Sequence, residues 1–139
     1  MEMETKENIV RHLERHGIYP TAQRIKIAEI MLSRDQHLSA DKVIEAINMG
    51  DAAVSKATVY NTLGLFAKKG LLREVIVDPS KVFYDSNTSE HHHFYNVDTG
   101  ELSDIHQDQM LVGELPELPD STEIDGVEVI IRVREARNS

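Results

Sequence analysis

The spacing of apolar and polar positions changes period along the chain. Up to about residue 69 it is helical; from residue 71 it alternates in short strand-like runs. A first helix is predicted from Thr5 to His16, with Ile9, Val10 and Leu13 on one face and Gly17 as its stop. Thr21 follows Pro20 and is a good N-cap for a second helix to Met31 or Leu32, with Ile25, Ala28 and Leu32 at helical spacing. Ser39 caps a third, "ADKVIEAIN", with Val43, Ile44 and Ile47 inward and Gly50 at its end. Ser55 caps a fourth, "KATVYNTLGLFAKK", closed by Gly70, with Ala57, Val59, Leu63 and Phe66 on its core face.

Next, "LLREVIV" and "KVFYD" form a predicted hairpin around the turn "DPS". "HHFYNV" and "ELSDI" form a second around "DTG". "HQDQMLVGEL" is expected to contain a short helix, "PELPDSTEIDG" to be loop, and "VEVIIRVRE" to be the strongest strand.

Helices followed by a β-hairpin are the winged variant of the helix-turn-helix, whose last helix enters the DNA major groove. The few elements after residue 85 are too little to stand alone, and such a unit gains stability by pairing with a second copy. The expected fold class is α+β. Residues 1–84 form an N-terminal winged helix-turn-helix DNA-binding domain, and residues 85–139 a small α/β dimerisation domain of a homodimer.

Charge modifies this picture. The 139 residues carry a net charge of −9, which taken whole argues against nucleic acid. The charge is unevenly placed: residues 1–84 hold 12 Lys+Arg against 11 Asp+Glu, and residues 85–139 hold 3 against 13. A near-neutral first part can meet DNA while the acidic part faces away. The chain has no cysteine, which excludes disulfides, thiolate zinc sites and cysteine nucleophiles. No apolar run approaches the roughly 18 residues of a membrane span, and the acidic N-terminus lacks a secretory pattern, so a cytoplasmic location is expected.

The N-terminal half of the fourth helix presents Ser55, Lys56, Thr58, Tyr60 and Asn61, which can bond phosphates and base edges. Arg24 and Lys26 lie near the start of the second helix. Lys68, Lys69, Arg73 and Lys81 lie at the end of the fourth helix and along the wing.

The run "SEHHHFYN" offers a different chemistry. On a strand, residues i and i+2 project to one side, so His91 and His93 face one way and His92 the other. Asp104 lies on the neighbouring strand, Asp85 ends the wing, and His37 precedes the third helix. Five nitrogen and oxygen donors without sulfur suit Mn(II), Fe(II) or Zn(II). The competing reading is a solvated His-rich loop, and His12, His16 and His106 are read as ordinary surface histidines.

The segments "PTAQRIKIAEIML", "HLSADKVIEAI", "SKATVYNTLGLFAKKGLL", "FYDSNTSEHHHFY" and "DTGELSDI" together resemble the ferric uptake regulator family of bacterial metal-responsive repressors. The missing cysteines and "VFYDSNTSEHHHFYNVDTGEL" look most like its iron response regulator branch, which senses haem status. The resemblance implies a homodimer, a regulatory metal site falling on His37, Asp85, His91, His93 and Asp104, and AT-rich palindromic operators. It places the family's recognition tyrosine on Tyr60 and an arginine of its pattern on Arg24. The chain departs from the family in three ways. Asn96 and Thr99 stand where the first CxxC pair of the structural zinc site is usual. Asn61 stands where an arginine commonly follows the tyrosine. No N-terminal Cys-Pro haem motif is present. Haem would then need His91, His92 or His93 as ligands.

Three functions follow as expectations. One is an iron-metabolism regulator that responds to haem. Another is a repressor with Mn(II) or Fe(II) as corepressor. The least supported is a non-haem metalloenzyme, for which the sequence offers no substrate-pocket signature.

Overall fold

Three side-chain caps set the helical part. In a computed structural model of the chain, which describes residues 6–49, 54–78, 80–89 and 91–137, Thr21, Ser39 and Ser55 each accept a hydrogen bond from the backbone N–H three residues on. They open helices α2 (Ala22–Leu32), α3 (Ala40–Ile47) and α4 (Lys56–Lys68); α1 (Lys6–Arg15) precedes them. Thr5, Gly50 and Pro79, assigned above to helix ends and a turn, lie outside the described residues.

The chain divides into two compact units between Thr88 and Ser89. In the first, the helices bury one cluster that includes Ile9, Leu13, Ile27, Met31, Val43, Ile47, Val59, Leu63 and Phe66. One face, that of α4, differs from expectation. In α2 Ile27, Ala28 and Met31 are buried, and Ile25 and Leu32 pack part-buried against the same cluster. Apolar residues lie all round "IKIAEIML", so packing rather than pattern selects the inner face. In α4 Ala57 is exposed and Thr62 is buried, so the inner stripe is Val59, Thr62, Leu63 and Phe66 at i, i+3, i+4 and i+7.

The wing is a three-stranded antiparallel sheet in the order β1 (His37–Ser39), β3 (Lys81–Asp85), β2 (Arg73–Asp78). The strand β1 was not expected. Its register sets His37 opposite Asp85 and Leu38 opposite Tyr84. Gln36 and Ser86 tie the end of this pairing, through the Ser86 N–H to the Gln36 carbonyl at 3.0 Å and the Gln36 N–H to Ser86 Oγ at 3.0 Å. At the other end Asp78 Oδ1 accepts from the Ser80 hydroxyl at 2.7 Å and its N–H at 2.8 Å. These bonds hold the Asp78 carboxyl below its usual range, so their contribution is present above the ordinary value of 3.8 and is lost as pH falls.

The second unit is a sheet in the order β5 (Leu102–Ile105), β4 (His92–Asn96), β6 (Ile130–Val133). β4 pairs antiparallel with β5 and parallel with β6. The predicted strand 127–135 shortens to four residues, because its one neighbour, β4, offers five positions to pair with. The helix expected in 106–115 is a single 3-10 turn, Gln107–Gln109. One turn forms few bonds for the dihedrals it fixes, and Gly113 and Pro116 soon follow.

The β4–β5 turn shows what stands at the zinc-cysteine positions. Asn96 Oδ1 accepts from the N–H groups of Asp98 (2.9 Å) and Thr99 (3.1 Å), and Thr99 Oγ1 from that of Glu101 (3.2 Å). Asn96 Nδ2 also donates to Glu135 Oε1 at 3.1 Å, beyond β6. A side-chain hydrogen-bond network therefore organises this corner. Asn96→Ala is expected to lower the unfolding free energy by about 1–2 kcal/mol, through loss of these bonds, as read by urea denaturation.

Candidate metal centre and nucleic-acid interface

The strand period places His91 and His93 on one side of the second unit's sheet, and β5 brings Asp104 opposite His93. His91 Nε2 lies 3.1 Å and His93 Nε2 3.3 Å from the same Asp104 Oδ1. The two rings are 4.5 Å apart between centroids. His93 is fully buried and His91 nearly so, while the Asp104 side chain is 44% exposed, which leaves the group open to solvent on one side.

Protons decide what this group can do. His91 Nδ1 lies 2.7 Å from the Ser89 carbonyl, which can only accept, so Nδ1 carries the hydrogen. In the neutral ring Nε2 then points a lone pair at a carboxylate oxygen. A proton or a metal ion between the two atoms joins them. One metal ion would join His91 Nε2, His93 Nε2 and Asp104 Oδ1. Two donors about 2.1 Å from one ion and at roughly 90–109° lie about 3.0–3.4 Å apart, as these atoms do. The residues present fit a divalent ion.

A participant the sequence did not reveal is Glu128. Its Oε1 lies 4.0 Å from His93 Nδ1, where a carboxylate can orient the ligating ring. Glu128 is 24 residues beyond Asp104, and only the parallel pairing of β6 on β4 brings it there. Glu128→Gln is expected to weaken metal affinity by about 10–100-fold, measured by chelator competition.

The other three predicted donors are placed as follows. In the first unit, His37 stands opposite Asp85 across β1–β3 and is half-buried. Asp85 is 1% exposed and accepts from the Asn87 N–H at 2.9 Å. His92 turns to the other side of β4, where its Nδ1 accepts from the Val129 N–H at 3.0 Å. That bond leaves the hydrogen of the neutral ring on Nε2.

In the first unit, Ser55, Lys56, Tyr60 and Asn61 are exposed at the N-terminal half of α4, as is Lys81 on the wing. Ser55 and Thr58 already serve the cap: Ser55 Oγ donates to Thr58 Oγ1 at 2.9 Å and accepts from the Thr58 N–H at 3.2 Å. Arg24 Nη1 donates to the Tyr19 carbonyl at 2.9 Å. Tyr60 donates its hydroxyl to Asp41 Oδ1 of α3 at 3.1 Å. Sequence reasoning had not paired these two, which lie 19 residues apart. The bond to Asp41 raises the Tyr60 phenol above its ordinary 10.0, so the contact is intact at neutral pH and is lost as pH rises through the raised value. Asp41→Ala is expected to return the Tyr60 phenol toward 10.0, seen as the tyrosinate titration that disappears in Tyr60→Phe.

The model of the ferric uptake regulator family matches residues 15–123. The peroxide-responsive repressor PerR of Staphylococcus aureus (strain Mu50) is 31% identical over 110 residues, spanning 79% of this chain and 74% of that protein. Its namesake from Staphylococcus epidermidis is 30% identical over 104 residues, 75% of this chain and 69% of that one. A solved ferric uptake regulator from Pseudomonas aeruginosa with manganese aligns at a TM-score of 0.67 and 23% identity, covering 91% of this chain and 97% of that one. At that identity the likeness speaks for the fold.

Proposed function

Because the chain belongs to the ferric uptake regulator family of metal-responsive transcriptional regulators, we propose that it binds operator DNA as a homodimer under the control of one divalent ion. The ion, Mn(II), Fe(II) or Zn(II), is held by His37, Asp85, His91, His93 and Asp104. The observation that carries this reading is the pair of imidazole Nε2 atoms converging on one carboxylate oxygen, at 3.1 and 3.3 Å. Asp85 supports it as a carboxylate kept almost wholly from water, where a charge is paired or coordinates a metal. Only five residues separate Asp85 from His91, and His37 is Asp85's strand partner.

When bound, the ion supplies a cross-link between the two units. His37 and Asp85 bind it from the side of the DNA-reading helices; His91, His93 and Asp104 bind it from the acidic unit. A ligand shared this way favours one arrangement of the two units by its differential affinity alone. Residues Arg24, Ser55, Lys56, Thr58, Tyr60, Asn61 and Lys81 then meet an AT-rich duplex, the lysines and arginine on phosphates and Tyr60 and Asn61 toward base edges. Homodimerisation is supported by the second unit's exposed apolar residues, among them Val112, Leu115, Ile131 and Val133. No helix among the described residues is long and apolar enough to cross a membrane.

The test uses a duplex selected from random sequence by the Mn(II)-loaded protein. Chelation is expected to weaken binding by about 5–150-fold, the usual range of coupling between two sites. Equal affinity with and without metal contradicts the proposal.

Two narrower readings share this scaffold. Peroxide responsiveness is favoured by the names of the Staphylococcus relatives. It predicts that peroxide releases DNA from the Fe(II)-loaded protein but not from the Mn(II)-loaded one. Haem responsiveness, through His91, His92 or His93, is favoured by a cavity of about 370 Å³ in the second unit, lined by His91, His92 and Met110 among others. It predicts a Soret band that shifts in His91→Ala and DNA binding that weakens as haem is added.

A further inference from the structure

The exposed face of α4 meets a carboxylate that the proposed regulation does not use. Tyr60 stands on that face, 47% exposed, and its hydroxyl lies 3.1 Å from Oδ1 of Asp41 on α3. The cap of α3 sets Asp41 in place. Ser39 accepts from the Lys42 N–H, which puts Asp41 in the first helical turn. A carboxylate is favoured there as the anion, because the N-terminal end of a helix carries partial positive charge.

The direction of the bond is forced. An ionised carboxylate only accepts, and a phenol has a single hydrogen. Tyr60 therefore gives that hydrogen to Asp41, and its oxygen keeps only lone pairs for anything beyond the protein. The same bond raises the phenol above its ordinary 10.0, so the hydrogen stays on the Tyr60 oxygen at neutral pH. In the major groove the exocyclic amines of adenine and cytosine donate, whereas guanine O6 and N7 and thymine O4 accept. A tyrosine with a free hydroxyl serves either kind of edge; this one matches an amine. The plain alternative is a tie between α3 and α4. Those helices already bury Val43, Ile44, Ile47, Val59 and Leu63 in one cluster, and an exposed bond adds little to it.

We infer that Asp41 is a specificity-determining residue of the DNA-reading unit: it takes the hydroxyl hydrogen of Tyr60 and so leaves Tyr60 to accept from the exocyclic amine of an adenine or cytosine. This rests on the reading of α4 as the helix that enters the major groove. Asp41 acts by positioning and needs no contact with the base. A thymine or guanine at that position sets lone pair against lone pair, which rejects the wrong base as well as missing a bond. Without Asp41 the hydroxyl is free to turn and donate, and those bases become acceptable.

The test uses the duplex selected by the Mn(II)-loaded protein. Each adenine or cytosine of one half-site is replaced in turn by purine or 2-pyrimidinone, which lack only the exocyclic amine. At one position this is expected to weaken binding of the unsubstituted protein by about 2–12-fold, the worth of one hydrogen bond, and to leave binding of Tyr60→Phe unchanged. Asp41→Ala is expected to lose the preference at that same position and to bind thymine or guanine there as well as the original base. The ratio between duplexes is the readout, since loss of an acidic side chain raises affinity for every duplex alike. The Tyr60→Phe comparison does not depend on the folding of Asp41→Ala. A selected duplex in which no amine removal distinguishes the unsubstituted protein from Tyr60→Phe overturns the inference and leaves the DNA-binding reading standing. Discrimination unchanged in Asp41→Ala overturns it too. Failure to select any duplex overturns both.

Discussion

His93→Ala is expected to weaken divalent-metal binding by more than about 100-fold, beyond the upper end found for a residue that only supports a ligand. The ring is fully buried, with Nε2 3.3 Å from Asp104 Oδ1 and Nδ1 4.0 Å from Glu128 Oε1. Its removal deletes one donor and leaves Glu128 nothing to orient. His92→Ala, one residue away on the opposite side of β4, is the control and should change metal affinity little. Its loss falls on the Val129 N–H, which donates to His92 Nδ1. Chelator-competition titration of both variants separates the two faces. A larger loss in His92→Ala than in His93→Ala would contradict the assignment.

Phe66→Ala is expected to destabilise the first unit by about 3–5 kcal/mol. The ring is fully buried in the cluster shared by the helices, and small domains are stable by only about 5–15 kcal/mol. The chain reverses just after it: the Phe66 carbonyl accepts from the N–H groups of Leu71 and Leu72 at 2.9 and 3.3 Å. A cavity there loosens both α4 and the start of the wing. Tyr60→Phe, on the exposed side of the same helix, should change stability by no more than about 0.5 kcal/mol while weakening DNA binding. Urea unfolding followed by circular dichroism gives the first quantity, and fluorescence anisotropy with a selected duplex gives the second.

The contrast between these two residues of α4 bears on what the sequence makes legible. Caps and stops were legible because their chemistry is local. Thr21, Ser39 and Ser55 accept from backbone groups three residues on, and Gly17 and Gly70 take positive φ. The facing of His91 and His93 toward Asp104 also followed from a strand period of two and one hairpin. Features made by distant segments were not legible. Three residues, "HLS", have no period of their own, and β1 exists because β3 accepts it as a third strand. The Glu128 approach to His93 depends on the parallel β6, and the Tyr60–Asp41 bond on the packing of α3 against α4. The most deeply buried positions of α2 are not singled out by its sequence, because its apolar residues give no single stripe: Ile25 and Leu32 pack part-buried against the cluster that Ile27, Ala28 and Met31 complete. The branch within the family is a finer matter than the fold, since the helix caps, the wing and the histidine strand do not depend on which signal the site answers to.

The most direct test of the central claim is X-ray absorption of the Mn(II)-loaded protein, counting imidazole rings around the ion. The account predicts three, from His37, His91 and His93, falling to two in His37→Ala with carboxylate oxygens retained. Two rings in the unsubstituted protein, unchanged by His37→Ala, would mean that the ion sits on the second unit alone and cannot couple it to the DNA-reading helices.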